Sequence, residues 1–229
     1  MTTEDREFSR RRLLGTSLVL GGAFLSRPLS DLLAQSSLPQ SFRLTPTSEQ
    51  GMGPFYPVLK PAEQDPDLTA IQGKPGKAQG QTLHLSGRVL NLKGQPVASA
   101  RVEIWQANAS GRYDHPGDTN PAPLDPNFTG YGVMLTDAEG WYRFMTVKPG
   151  PYPAEKGWTR PPHVHFQITA KANRLVTQMY FPGEGLNEKD RLFKTAADPG
   201  SLLAKVTSSR QDAEPGALTV VWDIILPRT

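Results

Sequence analysis

His163-Val164-His165, set in Arg160-Pro161-Pro162-His163-Val164-His165-Phe166, is the stretch whose residue types and spacing most directly suggest chemistry. In a β-strand residues i and i+2 project to the same face, so both imidazoles can reach one metal ion. Val164, Phe166 and Ile168 then fall on the opposite face, where they pack into the core and stiffen the strand behind the imidazoles. A bare His-x-His is more often a pair of surface histidines, so the motif needs support from elsewhere in the chain. The sequence contains no cysteine. Thiolate sites and disulfides are therefore excluded, and a metal must be held by His, Tyr, Asp or Glu.

The elements that must position these groups are strands. Leu83, Leu85 and Val89 alternate with polar or small residues, Asn91 to Gly94 forms a turn, and Val102, Ile104 and Gln106 alternate again, which predicts a hairpin-like pair. A second turn, Asp137 to Gly140, precedes Tyr142, Phe144 and Thr146 on one strand face. Further strands are expected at 163–169, 175–181 and 218–226, the last with Leu218, Val220, Trp222, Ile224 and Leu226 at period two. No stretch carries a long helical period. The pattern predicts an all-β fold, an antiparallel β-sandwich with long loops. Residues 81–229 read as one domain, preceded by an extended, Pro-, Ser- and Gln-rich arm over 35–80.

The chain has 229 residues, 21 of them Gly and 22 Pro, which suits a loop-rich β domain rather than a low-complexity chain. Its formal charge is only +3, with basic residues dispersed rather than gathered in a stripe, so nucleic acid is not an expected partner. Residues 1–34 read as an export signal. Ser9-Arg10-Arg11-Arg12-Leu13-Leu14 leads into a short, glycine-interrupted apolar run that resembles a twin-arginine signal, with cleavage expected after Ala34. The run is too short for a spanning helix, and without cysteine there is no lipid anchor. The mature protein is thus expected outside the cytoplasm with no stable membrane anchor.

Two more stretches support the histidine pair: Trp105 to Tyr113 (WQANASGRY) and Lys148 to Pro153 (KPGPYP). In type, order and spacing, these and the histidine segment resemble the intradiol ring-cleavage dioxygenases. The resemblance covers about residues 51–182. It implies Fe(III) held by Tyr113, Tyr152, His163 and His165. Phenolate is a hard anionic donor suited to a ferric ion, whose charge lowers the tyrosine pKa. The resemblance further implies that a catechol-type substrate, catechol or protocatechuate, binds as a dianion. Tyr152 accepts one of its protons, and reaction with O2 gives a cis,cis-muconate-type diacid. Arg160 matches an arginine that stabilises negative charge on the ring, and Gln178 matches a glutamine near the metal pocket. Gly53-Pro54-Phe55-Tyr56-Pro57 matches a segment lining the substrate pocket, with Pro54 and Tyr56 as candidate wall residues. Tyr131, Tyr142 and Tyr180 read as packing, and His84 and His115 as structural or exposed. Pro162, Met145 and Ala154-Glu155-Lys156 depart from the family pattern in loops that border the pocket.

A competing reading is a non-catalytic transthyretin-like or collagen-adhesin-B-like β-sandwich module, which would share the stretches 87–102 and 136–142. Those stretches specify fold alone. The four-residue ligand set separates the readings, because a binding module has no reason to carry it in that order. A His-x-His cupin would need a later histidine, and none follows His165. The protocatechuate branch implies a related partner subunit, and a homo-oligomer is the alternative.

Overall fold

A computed structural model describes residues 43–62, 64–171, 173–207 and 214–227. The export-signal reading of residues 1–34 lies outside them. Among the described residues eleven strands form: β1 Thr82–Leu90, β2 Arg101–Trp105, β3 Tyr131–Leu135, β4 Trp141–Val147, β5 Tyr152–Glu155, β6 Trp158–Arg160, β7 His163–Ala170, β8 Asn173–Tyr180, β9 Lys205–Thr207, β10 Leu218–Val221 and β11 Ile224–Ile225. One sheet runs β11-β1-β10-β9 with β4 also paired to β1, a second runs β3-β2-β7-β8, and β5 and β6 form a separate hairpin. Alternation fixes what each strand buries. Leu83, Leu85, Tyr142, Phe144 and Val220 from the first sheet meet Val102, Ile104, Val164, Phe166 and Ile168 from the second in one apolar core. The all-β sandwich expected from the pattern is the fold observed.

Two local expectations are corrected. The hairpin-like pair of residues 83–89 with 102–106 does not form: β1 pairs with β4, β10 and β11, and β2 with β3 and β7. The turn at 91–94 closes only a short stub, in which the Val97 amide donates to the Val89 carbonyl, and the chain then crosses to the other sheet. Alternation says which side chains are buried but not which sheet buries them, and both strands feed the same core. The strand expected over 218–226 is interrupted at Trp222-Asp223, and both halves run parallel to β1. At the break the Asp223 carboxylate, 2.8 Å away, takes the Arg88 amide from the ladder.

The outer face of the second sheet carries the polar chemistry. There Glu103, 2% exposed, accepts hydrogen bonds from Tyr56 Oη at 2.9 Å, Lys60 Nζ at 3.1 Å and Gln167 Nε2 at 2.9 Å, and pairs with Arg101. Tyr56 and Lys60 belong to the segment preceding the first strand, so this carboxylate ties that segment to the sheet. Burial pushes the Glu103 pKa up, but the donors Lys60, Tyr56 and Arg101 override it and hold it below the usual 4.5. A lowered folded pKa gives stability that is present above the unfolded value and lost as pH falls through the folded one. Glu103→Gln is therefore expected to cost about 2 kcal/mol at neutral pH. That gap should close in acid. Urea titrations of both chains across this range check it, and a gap independent of pH would refute it.

Candidate metal centre

The site lies on the same outer face, at the end where β7 begins. His163 and His165, each 2% exposed, point there together, while Val164, Phe166 and Ile168, all fully buried, point into the core. Phe166 lies against Trp222 with ring centroids 4.9 Å apart, so the strand is backed by rigid packing. Trp105, opposite His165 in the β2–β7 register, stacks on its ring at 4.9 Å.

The two tyrosines arrive on loops that cross. Residues 107–113 turn around Asn108, whose Oδ1 accepts from the Ser110 and Arg112 amides at 2.9 and 3.0 Å. The Gly150 amide donates to the Asn108 carbonyl at 3.0 Å. At this crossing a Cβ on Gly111, where φ is 78°, would lie 2.3 Å from the Pro151 carbonyl oxygen, and one on Gly150 would lie 2.5 Å from that of Ala109. Only glycine lets the loops pass so closely. The result is Tyr113 edge-on to Tyr152 with centroids 5.4 Å apart, Tyr152 at 5.6 Å from His163, and Tyr113 at 6.3 Å from His165.

Protonation states at this cluster suit a metal. His163 Nδ1–H donates to the Pro161 carbonyl at 2.7 Å, which leaves the Nε2 lone pair facing inward, 3.2 Å from His165 Nε2. Burial, reinforced by the charge of Arg160, pushes both imidazoles well below the usual range, so they are neutral donors at physiological pH. The Tyr113 hydroxyl is buried with no well-formed hydrogen bond, and burial together with the nearby Tyr152 hydroxyl pushes its pKa well up. A phenol sealed in this way is a fitting donor to a cation. Among the described residues no three of His, Asp or Glu gather into a metal-binding group. Any ion here therefore needs the phenols as well as the imidazoles. Two anionic oxygens and two neutral nitrogens are a donor set that suits ferric iron.

Arg160 stands beside the cluster. It pairs with Tyr152 across the β5–β6 hairpin, and Pro161-Pro162 leads from it directly into His163. The residue is 4% exposed: Nε donates to Asp190 at 2.6 Å, and one terminal nitrogen donates to both Gln178 Oε1 and Tyr180 Oη at 2.7 Å. Burial raises the Tyr152 pKa while the Arg160 charge pulls against it. Gln178, opposite His165 in the β7–β8 register, also donates to the Gly51 carbonyl at 3.0 Å. Tyr180 is thus more than a packing residue, because its hydroxyl closes this network.

The Gly53–Tyr56 segment also departs from expectation. Gly53, at φ 75°, passes over the His165 ring, and Pro54 is exposed. Tyr56 directs its hydroxyl to Glu103 and its ring to Trp105. Phe55, rather than Tyr56, lies against Tyr113 at 4.6 Å and Tyr152 at 6.1 Å. A cleft of about 310 Å³ opens beside the cluster, walled by Phe55, Trp105, Tyr113 and Tyr131 and reaching Lys60. That volume and its aromatic walls suit a single small aromatic ring. Asp190 and Glu103 were missed in the sequence, since neither stands in a motif and no local signal marks either.

Comparison with known proteins agrees with this geometry. A family model described as "Dioxygenase" matches residues 52–228. The protocatechuate 3,4-dioxygenase beta chain of Burkholderia cepacia is 44% identical over 179 residues, covering 76% of each chain. Hydroxyquinol 1,2-dioxygenase of Rhizobium sp. is 30% identical over 156 residues, and the match spans half the length of that enzyme. Among solved structures, the dioxygenase domain of a dioxygenase carbohydrate-binding protein fusion from Streptomyces sp. SirexAA-E superposes with a TM-score of 0.62 at 28% identity, covering 81% of this chain and all of that one. With the sandwich, the paired imidazoles and the crossing tyrosine loops, these matches place the chain in the intradiol ring-cleavage dioxygenase family.

Proposed function

We propose that this chain binds ferric iron through Tyr113, Tyr152, His163 and His165 and opens a catechol-type ring between its two hydroxyls with O2. Protocatechuate is the first candidate substrate and catechol the second. The observation that carries the reading is the convergence of two neutral imidazoles and two buried phenols, one of them without a well-formed hydrogen bond. The 44% identity to a protocatechuate dioxygenase chain supports the order of substrates. Ferric iron would supply Lewis acidity toward the catechol oxygens and the electronic route between ring and O2. The chain's own residues do the rest. Burial raises the Tyr152 pKa and the Arg160 charge counters it; ionised by a bound ferric ion, Tyr152 Oη would be placed to accept a catechol proton. The Arg160 guanidinium stabilises negative charge on the bound ring. Gln178 holds that guanidinium and, through Gly51, the segment crossing the site. Phe55 and Trp105 line the cleft beside the cluster in which the ring would sit.

We read residues 1–34 as a twin-arginine-type export signal, 35–80 as an arm and 81–229 as the dioxygenase domain, which would put the mature protein outside the cytoplasm. The beta-chain designation of the Burkholderia cepacia relative supports a related partner subunit, with a homo-oligomer as the alternative. The test of function is the visible spectrum of the iron-loaded chain from Gln35 onward, recorded anaerobically before and after addition of protocatechuate and of catechol. A tyrosinate-to-iron band that shifts with one of them is expected. A colourless chain that takes up no iron would refute the assignment.

A further inference from the structure

We infer that Asp190 is the positioning residue for Arg160, acting on the reaction through the guanidinium rather than by touching substrate; this rests on the function proposed above. Asp190 is fully buried, yet it lies outside the sheets, in the turn between a short helical segment, Asn187–Lys189, and the four-residue helix α1, Arg191–Lys194. Its two oxygens are both committed. Oδ1 accepts from the Phe193 amide at 2.8 Å, which anchors the carboxylate to the backbone, and Oδ2 accepts from Arg160 Nε at 2.6 Å.

A guanidinium is planar, so fixing Nε and one terminal nitrogen fixes the direction of the other. In Arg160 those two are held by Asp190, and by Gln178 and Tyr180. The remaining edge belongs to a side chain whose charge is felt by Tyr152, His163 and His165. Of the three anchors only Asp190 is an anion. It is the group that compensates the arginine's charge in a site where water cannot. Gln178 and Tyr180 are neutral and serve as guides. Trp158 flanks the guanidinium at 5.7 Å and is itself flanked by Arg191 at 4.9 Å, so the residue after Asp190 grips the same hairpin that carries Tyr152 and Arg160. This non-strand turn therefore sets the position of the charge beside the metal ligands.

The test compares iron-loaded wild type with Asp190→Asn, Asp190→Glu, Arg160→Lys and the Asp190→Asn/Arg160→Lys pair. Asp190→Asn is expected to keep its iron and its visible band. Its kcat for protocatechuate should fall by about tenfold to a hundredfold with a much smaller change in KM, the signature of an interaction exercised after binding. Because Asp190 acts through Arg160, the double variant should be no slower than Arg160→Lys alone. Asp190→Glu keeps the charge but displaces the carboxylate, and should lose about tenfold in kcat. Loss of iron from Asp190→Asn, additive losses in the pair, or wild-type turnover in either Asp190 variant would overturn the inference. Should the Asn variant fail to fold, the Glu variant decides alone. In the metal-free chain the Arg160 Nε–H resonance should be protected from exchange in wild type and not in Asp190→Asn. That readout stands even if the wild-type chain binds no iron, which would sink the proposed function and not this one; equal protection in both chains would overturn the positioning role.

Discussion

His163→Ala is expected to give a folded chain whose iron affinity falls by more than about a hundredfold, since losing a direct donor exceeds the tenfold to hundredfold typical of losing an outer partner. His163 lies at the start of β7 on the face away from the main core, and its ring touches Tyr152, His165 and Tyr180 rather than the sandwich interior. The fold is held by Val164, Phe166 and Ile168 on the other side of the same strand, which the substitution leaves in place. With His163 gone, His165 is the one imidazole left beside the two phenols. The carbonyl of Pro161 also loses its donor. Iron-to-protein ratio after dialysis, read beside the far-ultraviolet circular dichroism spectrum, checks both halves of the expectation. Stoichiometric iron in a folded His163→Ala chain would remove His163 from the ligand set.

The parts of this molecule that were legible in the sequence are those in which one local rule suffices. Period two in 163–169 places the two imidazoles on one face and Val164, Phe166 and Ile168 on the other whatever the partners of the strand, and the same rule holds for Tyr142, Phe144 and Thr146. The turn at 137–140 was legible because Asp137 Oδ1 accepts from the Trp141 amide at 2.7 Å and Gly140 takes φ 79°, both set by residue type. What could not be read is the choice among partners of equal local quality. β1 and β2 are both good strands with a turn signal between them, yet one pairs in the first sheet and the other in the second. The strand over 218–226 keeps its alternation through the break, so its interruption left no mark in the pattern. The place expected for Tyr56 passed to Phe55 because Glu103 draws the phenol hydroxyl away, and a buried acid inside a strand carries no motif. Asp190 was invisible for the same reason. It lies 30 residues from the arginine it pairs with, and only the fold brings them to 2.6 Å.

Tyr152→Phe should separate the two tasks given to this residue, holding iron and taking a proton. The ring of Tyr152 is packed against Phe55, Tyr113 and His163, and phenylalanine fills the same space, so the loops and the other three donors should stay in place. Most of the iron is therefore expected to remain, with a weaker visible band because one of the two phenolates is gone. Proton transfer is different. Burial holds the Tyr152 hydroxyl above its ordinary pKa although the Arg160 charge opposes that shift, so the group on its own stays a phenol; beside bound ferric iron that pKa would fall, and the phenolate could then take a catechol proton. Phenylalanine cannot do this. Anaerobic binding of protocatechuate, followed by stopped-flow absorbance, should slow by about a hundredfold or more, within the range attributed to a positioned acid or base. The loss should shrink as pH rises toward the range where the catechol sheds its own protons and needs no acceptor. Wild-type binding rates in an iron-loaded Tyr152→Phe chain would show that the protons leave by another route, and Tyr113, the other buried phenol of the cluster, would then be the one to test.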